Sequence, residues 1–238
     1  MDKRRALGQH YLVDSSVVQL IVDCADVKPN ERVLEIGTGR GILTKQLCKL
    51  SNLVEGFELD EANYLETKRQ VDGGVIMHLG DAFSTDSSFD VLVSSLPYSE
   101  SGTFVEWLSQ RRYDRAVVLL QKEFAEKLMS PPGLRSYRAI SVIFQMSSTI
   151  EVVARIARSA FAPPPRVSST LVVIRPRRSL DSPQIKYVKC LFSQKKRRLG
   201  VALENLGFGT RGVPLEYLSR RVWSLTVPEI AKLLDGVS

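Results

Sequence analysis

Residue patterning in this chain points to an α/β fold: a doubly wound, mainly parallel sheet, followed by a small helical module. Three observations carry that expectation. Short apolar runs alternate with amphipathic helical stretches up to residue 174, the pattern of right-handed βαβ units. The first run, Val33-Leu34-Glu35-Ile36, enters a turn with glycine at every second position: Gly37, Gly39 and Gly41. The charge then changes along the chain. Residues 1–174 hold 20 Lys and Arg against 21 Asp and Glu, whereas residues 175–238 hold 13 against 5, a net +8.

The bulk composition sets outer bounds. The 238 residues suffice for one large core and an appendage, and a hydrophobic content of 44% with 25% charged residues is that of a globular protein. No apolar run approaches a membrane span. The start, Met1-Asp2-Lys3-Arg4-Arg5, leads into Gly8-Gln9-His10 rather than an apolar signal core, so a cytoplasmic protein is expected. Cys24, Cys48 and Cys190 lie far apart, and His10 and His78 are the two histidines, so neither a metal nor a disulfide is expected. Cys24 and Cys48 fall in apolar helix patterns and read as small core residues. The basic final quarter is the electrostatic footprint of a polyanion partner, nucleic acid above all, with a solvated basic surface as the alternative.

Taken in order, residues 3–13 form an arm with a basic start. Asp14 caps a helix carrying Val17, Val18, Leu20, Ile21 and Ala25, which Pro29-Asn30 ends. Strand one covers about Arg32 to Ile36. The glycine turn follows, then a helix with Leu43, Leu47 and Leu50 on one side. Glycine lacks the Cβ that would keep a ligand away from the backbone, and it tolerates positive φ. A dinucleotide turn reads G-x-G-x-x-G, but here Ile42 stands where its last glycine belongs, which weakens a nicotinamide-dependent reading. Strand two, Leu53–Phe57, is closed by Glu58-Leu59-Asp60. An acid at the end of the second strand, about 20 residues beyond a glycine loop, can accept bonds from both hydroxyls of a ribose. Asp60 suits the start of the helix that runs to about Arg69.

Strand three, Val75–Leu79, precedes Gly80-Asp81-Ala82-Phe83, where Asp81 can reach the exocyclic amine of an adenine ring. Strand four, Phe89–Ser94, is continuously apolar at Val91-Leu92-Val93, as a strand covered on both faces should be, and ends in Ser95-Leu96-Pro97-Tyr98. A helix from about Thr103 to Gln110, strand five at Ala116–Leu120 and a helix to Met129 follow. Beyond the loop Ser130-Pro131-Pro132-Gly133, the pattern gives a helix over Tyr137–Met146 and a strand over Ile150–Ile156. The stiff loop Phe161-Ala162-Pro163-Pro164-Pro165-Arg166-Val167 delivers the seventh strand, Ser169–Ile174, antiparallel to the sixth. Arg175-Pro176-Arg177-Arg178 marks a boundary, giving domains at 1–176 and 177–238. The second reads as helices over Ile185–Phe192 and Lys195–Leu206, with short pieces around Leu215–Val222 and Pro228–Leu234. It has little core of its own and so needs the large domain to pack against.

With these motifs in order, the chain resembles the ribosomal small-subunit adenine dimethyltransferases of the kasugamycin-resistance type, relatives of the erythromycin-resistance rRNA methyltransferases. The resemblance covers essentially residues 7–206. Gly8-Gln9-His10-Tyr11-Leu12 is similar to the family's G-Q-N-F-L arm, and Glu35–Gly41 to its cofactor loop. Gln121-Lys122-Glu123, the Phe161 loop and Phe192 with Lys195–Leu199 resemble its Q-K-E, F-x-P-x-P-x-V and F-x-x-R-R-K-x-L motifs. The resemblance implies a Rossmann-like, seven-stranded methyltransferase sheet and S-adenosylmethionine as cofactor. It implies that Gln9, His10, Leu12, Glu35, Gly37, Gly39, Gly41, Glu58, Leu59, Asp81, Ala82 and Ser95 hold that cofactor. It further implies methylation of adenine N6 during ribosome biogenesis, as dimethylation of adjacent adenosines near the 3′ end of small-subunit rRNA. Ser95, Leu96, Pro97, Tyr98 and Phe161 then surround the target base, and Lys195, Lys196, Arg197 and Arg198 grip RNA. The expected partner is the immature small subunit, with no membrane, and the expected state is a monomer.

One departure bears on the chemistry. The family's turn reads N-L-P-Y; here it is Ser95-Leu96-Pro97-Tyr98. An adenine amine is a weak nucleophile because its lone pair is delocalised into the ring. In the family, a side-chain amide oxygen and the next backbone carbonyl hold its two hydrogens and aim the lone pair at the methyl donor. A serine hydroxyl accepts one such bond with shorter reach. Loss of a well-aimed acceptor costs on the order of 10²–10³ in rate, by analogy with an oxyanion-hole donor. Reduced activity is therefore expected, and the alternative is an assembly factor that binds rRNA and methylates slowly or not at all. Ser99-Glu100-Ser101 also puts a charge where the family has an apolar residue, and Val167-Ser168-Ser169 lacks its aspartate. No general base is required, because the methylated nitrogen is acidic enough to release its proton to water. His78 is thus read as a strand residue.

Overall fold

The computed structural model describes residues 10–71, 75–96 and 98–235, with the backbone alone at Tyr98 and Asp235. Gln9 and Pro97 lie outside the described residues, as does the side chain of Tyr98. The chain forms two compact units. The first comprises residues 1–104, 112–122 and 150–176, and the second 105–111, 123–149 and 177–238.

The first unit opens with β1 (Tyr11–Leu12) and α1 (Ser15–Ala25). Asp14 caps α1 by accepting from the backbone N–H groups of Ser16 and Val17, as its short acidic side chain suggests. Then come β2 (Val33–Ile36), α2 (Thr44–Leu47), β3 (Val54–Glu58), α3 (Glu61–Gln70), β4 (Val75–Leu79) and β5 (Val91–Ser94). Helix α4 (Ser101–Leu108) runs from the first unit into the second; β6 (Arg115–Gln121) returns to the first. After α5 (Lys122–Leu128) and α6 (Ala139–Ser147), β7 (Ser148–Ile156), β8 (Phe161–Ala162) and β9 (Ser169–Pro176) complete the sheets.

The main sheet has seven strands in the order β4-β3-β2-β5-β6-β9-β7. The strands from β4 to β6 pair in parallel, and β9 runs antiparallel to β6, with Val118 opposite Val172. Val91, Leu92 and Val93 are wholly buried, as their unbroken apolar run requires. Arg115 on β6 closes the end of α1. Its guanidinium donates to the Ala25 and Asp26 carbonyls and forms a fork on the Glu31 carboxylate at 2.7 and 2.9 Å.

The structure corrects three expectations. Helix α2 is a single turn, so Leu50 lies beyond it and is 36% exposed rather than on its apolar face. The two-residue ladder of β1 and β8 went unforeseen, because a pair so short leaves no periodicity to read. The helical unit is also larger than residues 177–238, and it has a core of its own. Tyr137, Val142, Ile143 and Met146, from the loop before α6 and from α6 itself, cluster with Ile185, Val188 and Leu191 of α7 (Ser182–Ser193). Leu199, Ala202 and Leu203 of α8 (Leu199–Asn205) join them, as do Tyr217 of α9 (Leu215–Leu218) and Ile230, Leu233 and Leu234 of α10 (Val227–Asp235). Net charge follows the same division: the second unit holds 16 Lys and Arg against 8 Asp and Glu.

Tyr137 anchors this core. Its ring meets Phe192 edge-on at 5.5 Å between centroids, and its hydroxyl donates to the Leu225 carbonyl at 3.2 Å. We expect Tyr137→Phe to destabilise the helical unit by about 1 kcal/mol, and Tyr137→Ala by about 3–5 kcal/mol. Both tryptophans, Trp107 and Trp223, lie in that unit, so the midpoint of urea unfolding by tryptophan fluorescence reads it directly.

Candidate active site

A cavity of about 410 Å³ lies within the first unit, beyond the carboxyl ends of β2, β3, β4 and β5. The chain leaves β2 toward β3 on one side, while β5 flanks β2 on the other. Such a switch point leaves a crevice that no crossover connection covers, and ligands of doubly wound sheets bind there.

The glycine bend forms the floor. Gly37, Gly39 and Gly41 all have positive φ, at 76°, 56° and 76°. A Cβ on Gly39 would stand in ordinary van der Waals contact, 3.6 Å from the Tyr11 ring that covers the bend, so there it is the positive φ that calls for glycine. A Cβ on Gly41 would come within 3.0 Å of Thr67 on α3, so Gly41 serves helix packing and does not line the cavity. Thr67 in turn donates its hydroxyl to the Gly39 carbonyl at 2.9 Å.

Glu58 holds the bend in place. Its Oε2 accepts the Gly39 N–H at 2.7 Å, and its Oε1 accepts those of Leu59 and Asp60 at 2.9 Å each. Burial pushes this carboxyl above the ordinary range, while the three N–H groups pull the other way. Glu35, at the end of β2, stands in contrast. It is 1% exposed, and neither carboxyl oxygen is met by a well-placed donor among the described residues. Burial pushes its carboxyl up to about 8; the nearby Thr44 hydroxyl works against the shift and Glu58 adds to it.

The remaining walls come from the predicted segments. His10 and Leu12 of the arm line the cavity, with His10 Nδ1 2.8 Å from the Pro163 carbonyl. Tyr11 pairs with Ala162 and Leu12 with Phe161, so the arm is clamped to the proline-rich loop. Arg40 lies 4.4 Å above the Tyr11 ring. Asp81 lines the cavity beside Ala82, and its Oδ1 accepts the Phe83 N–H at 2.9 Å. Leu59, Ser95, Leu96 and Phe161 complete the predicted set, with Phe161 4% exposed and set in the core. Sequence reasoning missed Asn63, a buried cavity residue on α3 that accepts the Tyr11 hydroxyl at 3.2 Å. Its signal is spacing: Asn63 and Thr67 stand four apart, on the inward face of a helix otherwise poor in apolar residues.

The four basic residues proposed for RNA lie in the second unit, and they are not helical. Lys195 to Arg198 run as a turn and a bridge residue, because their backbone pairs with residues 220–223. Leu199 N–H donates to Arg220, Val222 N–H to Arg197 and Trp223 N–H to Lys195. Lys195 is held in place by the protein itself: its ammonium donates to the Arg135 and Tyr137 carbonyls at 3.0 Å each, which makes it a strut of the turn. Burial first, then the neighbouring Arg138, Lys196 and Arg135, hold it below the usual lysine range. Lys196, Arg197 and Arg198 are exposed.

A family model described as ribosomal RNA adenine dimethylase matches residues 1–216. The probable ribosomal RNA small subunit methyltransferase A of Methanothermobacter thermautotrophicus is 34% identical over 249 residues, covering 98% of this chain and 90% of the relative. Among solved structures, a dimethyladenosine transferase from Plasmodium falciparum matches with a TM-score of 0.82 at 25% identity, covering 95% of this chain and 97% of that one. The 23S rRNA methyltransferase ErmE shares the fold, with a TM-score of 0.66 at 20% identity over 95% and 99% of the two chains.

Glu35 makes the ligand-free protein sensitive to pH. Its folded carboxyl titrates near 8 against an ordinary value of 4.5, so the native state binds the proton more tightly than the unfolded chain. Stability contributed by that proton is present below 4.5 and is lost as pH rises toward 8. Glu58, shifted in the same direction, adds to the trend. Hydrogen exchange of the β2 and β3 amides should accelerate across this window beyond its intrinsic pH dependence, and Glu35→Gln should flatten the excess.

Proposed function

The chain belongs to the ribosomal RNA adenine dimethylase family, and on that footing we propose that it methylates adenine N6 in small-subunit ribosomal RNA, using S-adenosylmethionine, during ribosome assembly. One observation carries the assignment of the site. A single cavity joins a buried, unsatisfied acid, a glycine bend and the turn that follows β5. The residues fit the proposed donor. A cationic ammonium or sulfonium beside the buried, unpartnered Glu35 favours its ionised form and pairs with it, while Glu58 and Asp81 offer lone pairs to ribose and adenine. The donor contributes an electrophilic methyl group.

The protein's part is position. Glu58 sets the bend at a fixed height above the sheet through Gly39. The arm covers it through Tyr11, with Asn63 holding the tyrosine hydroxyl. The turn after β5 receives the amine of an extruded adenine, the Leu96 carbonyl taking one of its two hydrogens with Ser95 beside it, and Phe161 walls the pocket. Alignment of a weak nucleophile with its target supplies most of the acceleration, and the proton then leaves to water. Lys196, Arg197 and Arg198 meet RNA phosphates, and Lys195 shapes the turn that presents them. The binding-only assembly-factor reading is not favoured, since a full-length relative carries a methyltransferase name. No described helix is long and apolar enough to cross a membrane. We place the protein in the cytoplasm, as a monomer.

Incubation with radiolabelled S-adenosylmethionine and immature small subunits should put label in N6-methylated adenosine; donor binding without label would overturn the assignment. Ser95→Asn should raise turnover by roughly tenfold or more if the short hydroxyl limits it. For the basic turn, neutralising Lys196, Arg197 and Arg198 together should lower the magnitude of the salt slope of RNA binding by about 2. Lys195→Ala should instead lower the stability of the helical unit. An unchanged slope in the triple variant removes the turn from the RNA interface.

A further inference from the structure

We infer that Glu100 is a specificity-determining residue, whose carboxylate accepts a hydrogen from the exocyclic amine of the target adenine in place of the amide that Ser95 lacks. The inference rests on the base-pocket reading above. Glu100 is partly buried and lines the same cavity as Ser95, Leu96, Ser99 and Phe161. It is the acid contributed by the segment after β5; Glu35, Glu58 and Asp81 come from the ends of the other three strands. Glu58 and Asp81 already accept backbone N–H groups, whereas Glu100 makes no hydrogen bond or ion pair among the described residues.

The chemistry of the amine calls for such a group. It presents two hydrogens, and both must be held if the lone pair is to turn out of the ring plane. The Ser95 hydroxyl is short and is itself a donor as well as an acceptor, so it does not discriminate between an amine and a carbonyl. An ionised carboxylate only accepts. It binds an amino group and repels a carbonyl oxygen at the same position, so selection comes from attraction to one base and repulsion of the other. A charged acceptor also bonds an N–H more strongly than a hydroxyl does.

Binding of adenosine and inosine tests this directly, because inosine carries a carbonyl where adenosine carries its amine. S-adenosylhomocysteine should be present at saturation, so that neither nucleoside enters the donor half of the cavity. The wild-type protein should prefer adenosine by on the order of tenfold or more. Glu100→Ala should reduce the preference to about threefold or less, with S-adenosylhomocysteine affinity within about twofold of wild type as proof of folding. Glu100→Gln, which donates as well as accepts, should tighten inosine binding. Adding Ser95→Asn to Glu100→Ala should restore adenosine preference and methylation of immature subunits together. If Glu100→Ala discriminates as well as the wild type, the role of Glu100 falls while the base-pocket reading stands. If the wild type prefers neither nucleoside, both fall.

Discussion

Three backbone N–H groups converge on the carboxylate of Glu58, and the site depends on that convergence. Two come from its own strand end and one from the glycine bend after the neighbouring strand β2, at Gly39. The bond to Gly39 fixes the distance between the ends of β2 and β3, and with it the floor of the cavity. Everything around the bend then has a defined neighbour. Thr67 approaches through the space left by Gly41, and Asn63 ties Tyr11, which lies over Gly39, to α3. Removing a carboxylate from water is costly, and three donors offset that cost without neutralising it.

Glu35 and Glu58 show two uses of the same side chain within one crevice. Glu58 is satisfied by the protein and holds structure. Glu35 has no hydrogen-bond partner among the described residues, so burial holds its carboxyl far above the ordinary range. The same division appears among the lysines of the basic turn: Lys195 is tied to two carbonyls and shapes the backbone, while Lys196 is exposed. In both pairs, adjacency in chain or space says little about role; what separates the members is whether the protein itself supplies the hydrogen-bond partners.

Much of the first unit was legible in the sequence because its signals are local. Continuous apolar runs at Val33–Ile36 and Val91–Val93 mark strands buried on both faces, and the alternating glycines mark a bend that side chains with a Cβ would strain. Glu58 was legible from its distance to that bend, and Asp81 from its place just past a strand. What escaped reading depends on contacts between distant segments. Lys195 looks like any cation of a basic run until the carbonyls of Arg135 and Tyr137 are brought to it. The helical unit looked coreless because α6, which fills it, is separated from α7 in sequence by β7, β8 and β9. Gly41 and Thr67 belong to different elements, and no spacing rule connects them.

The arm carries a consequence for synthesis. Tyr11 and Leu12 are made long before their pairing partners, Ala162 and Phe161, which lie about 150 residues later along the chain. The main-chain bonds from Val13 and Asp14 to Ala160 have the same reach. On the ribosome, the strand at the beginning must therefore wait while nearly the whole parallel sheet emerges. The cover of the crevice is among the last pieces to close, and a product ending before residue 160 offers β1 nothing to pair with.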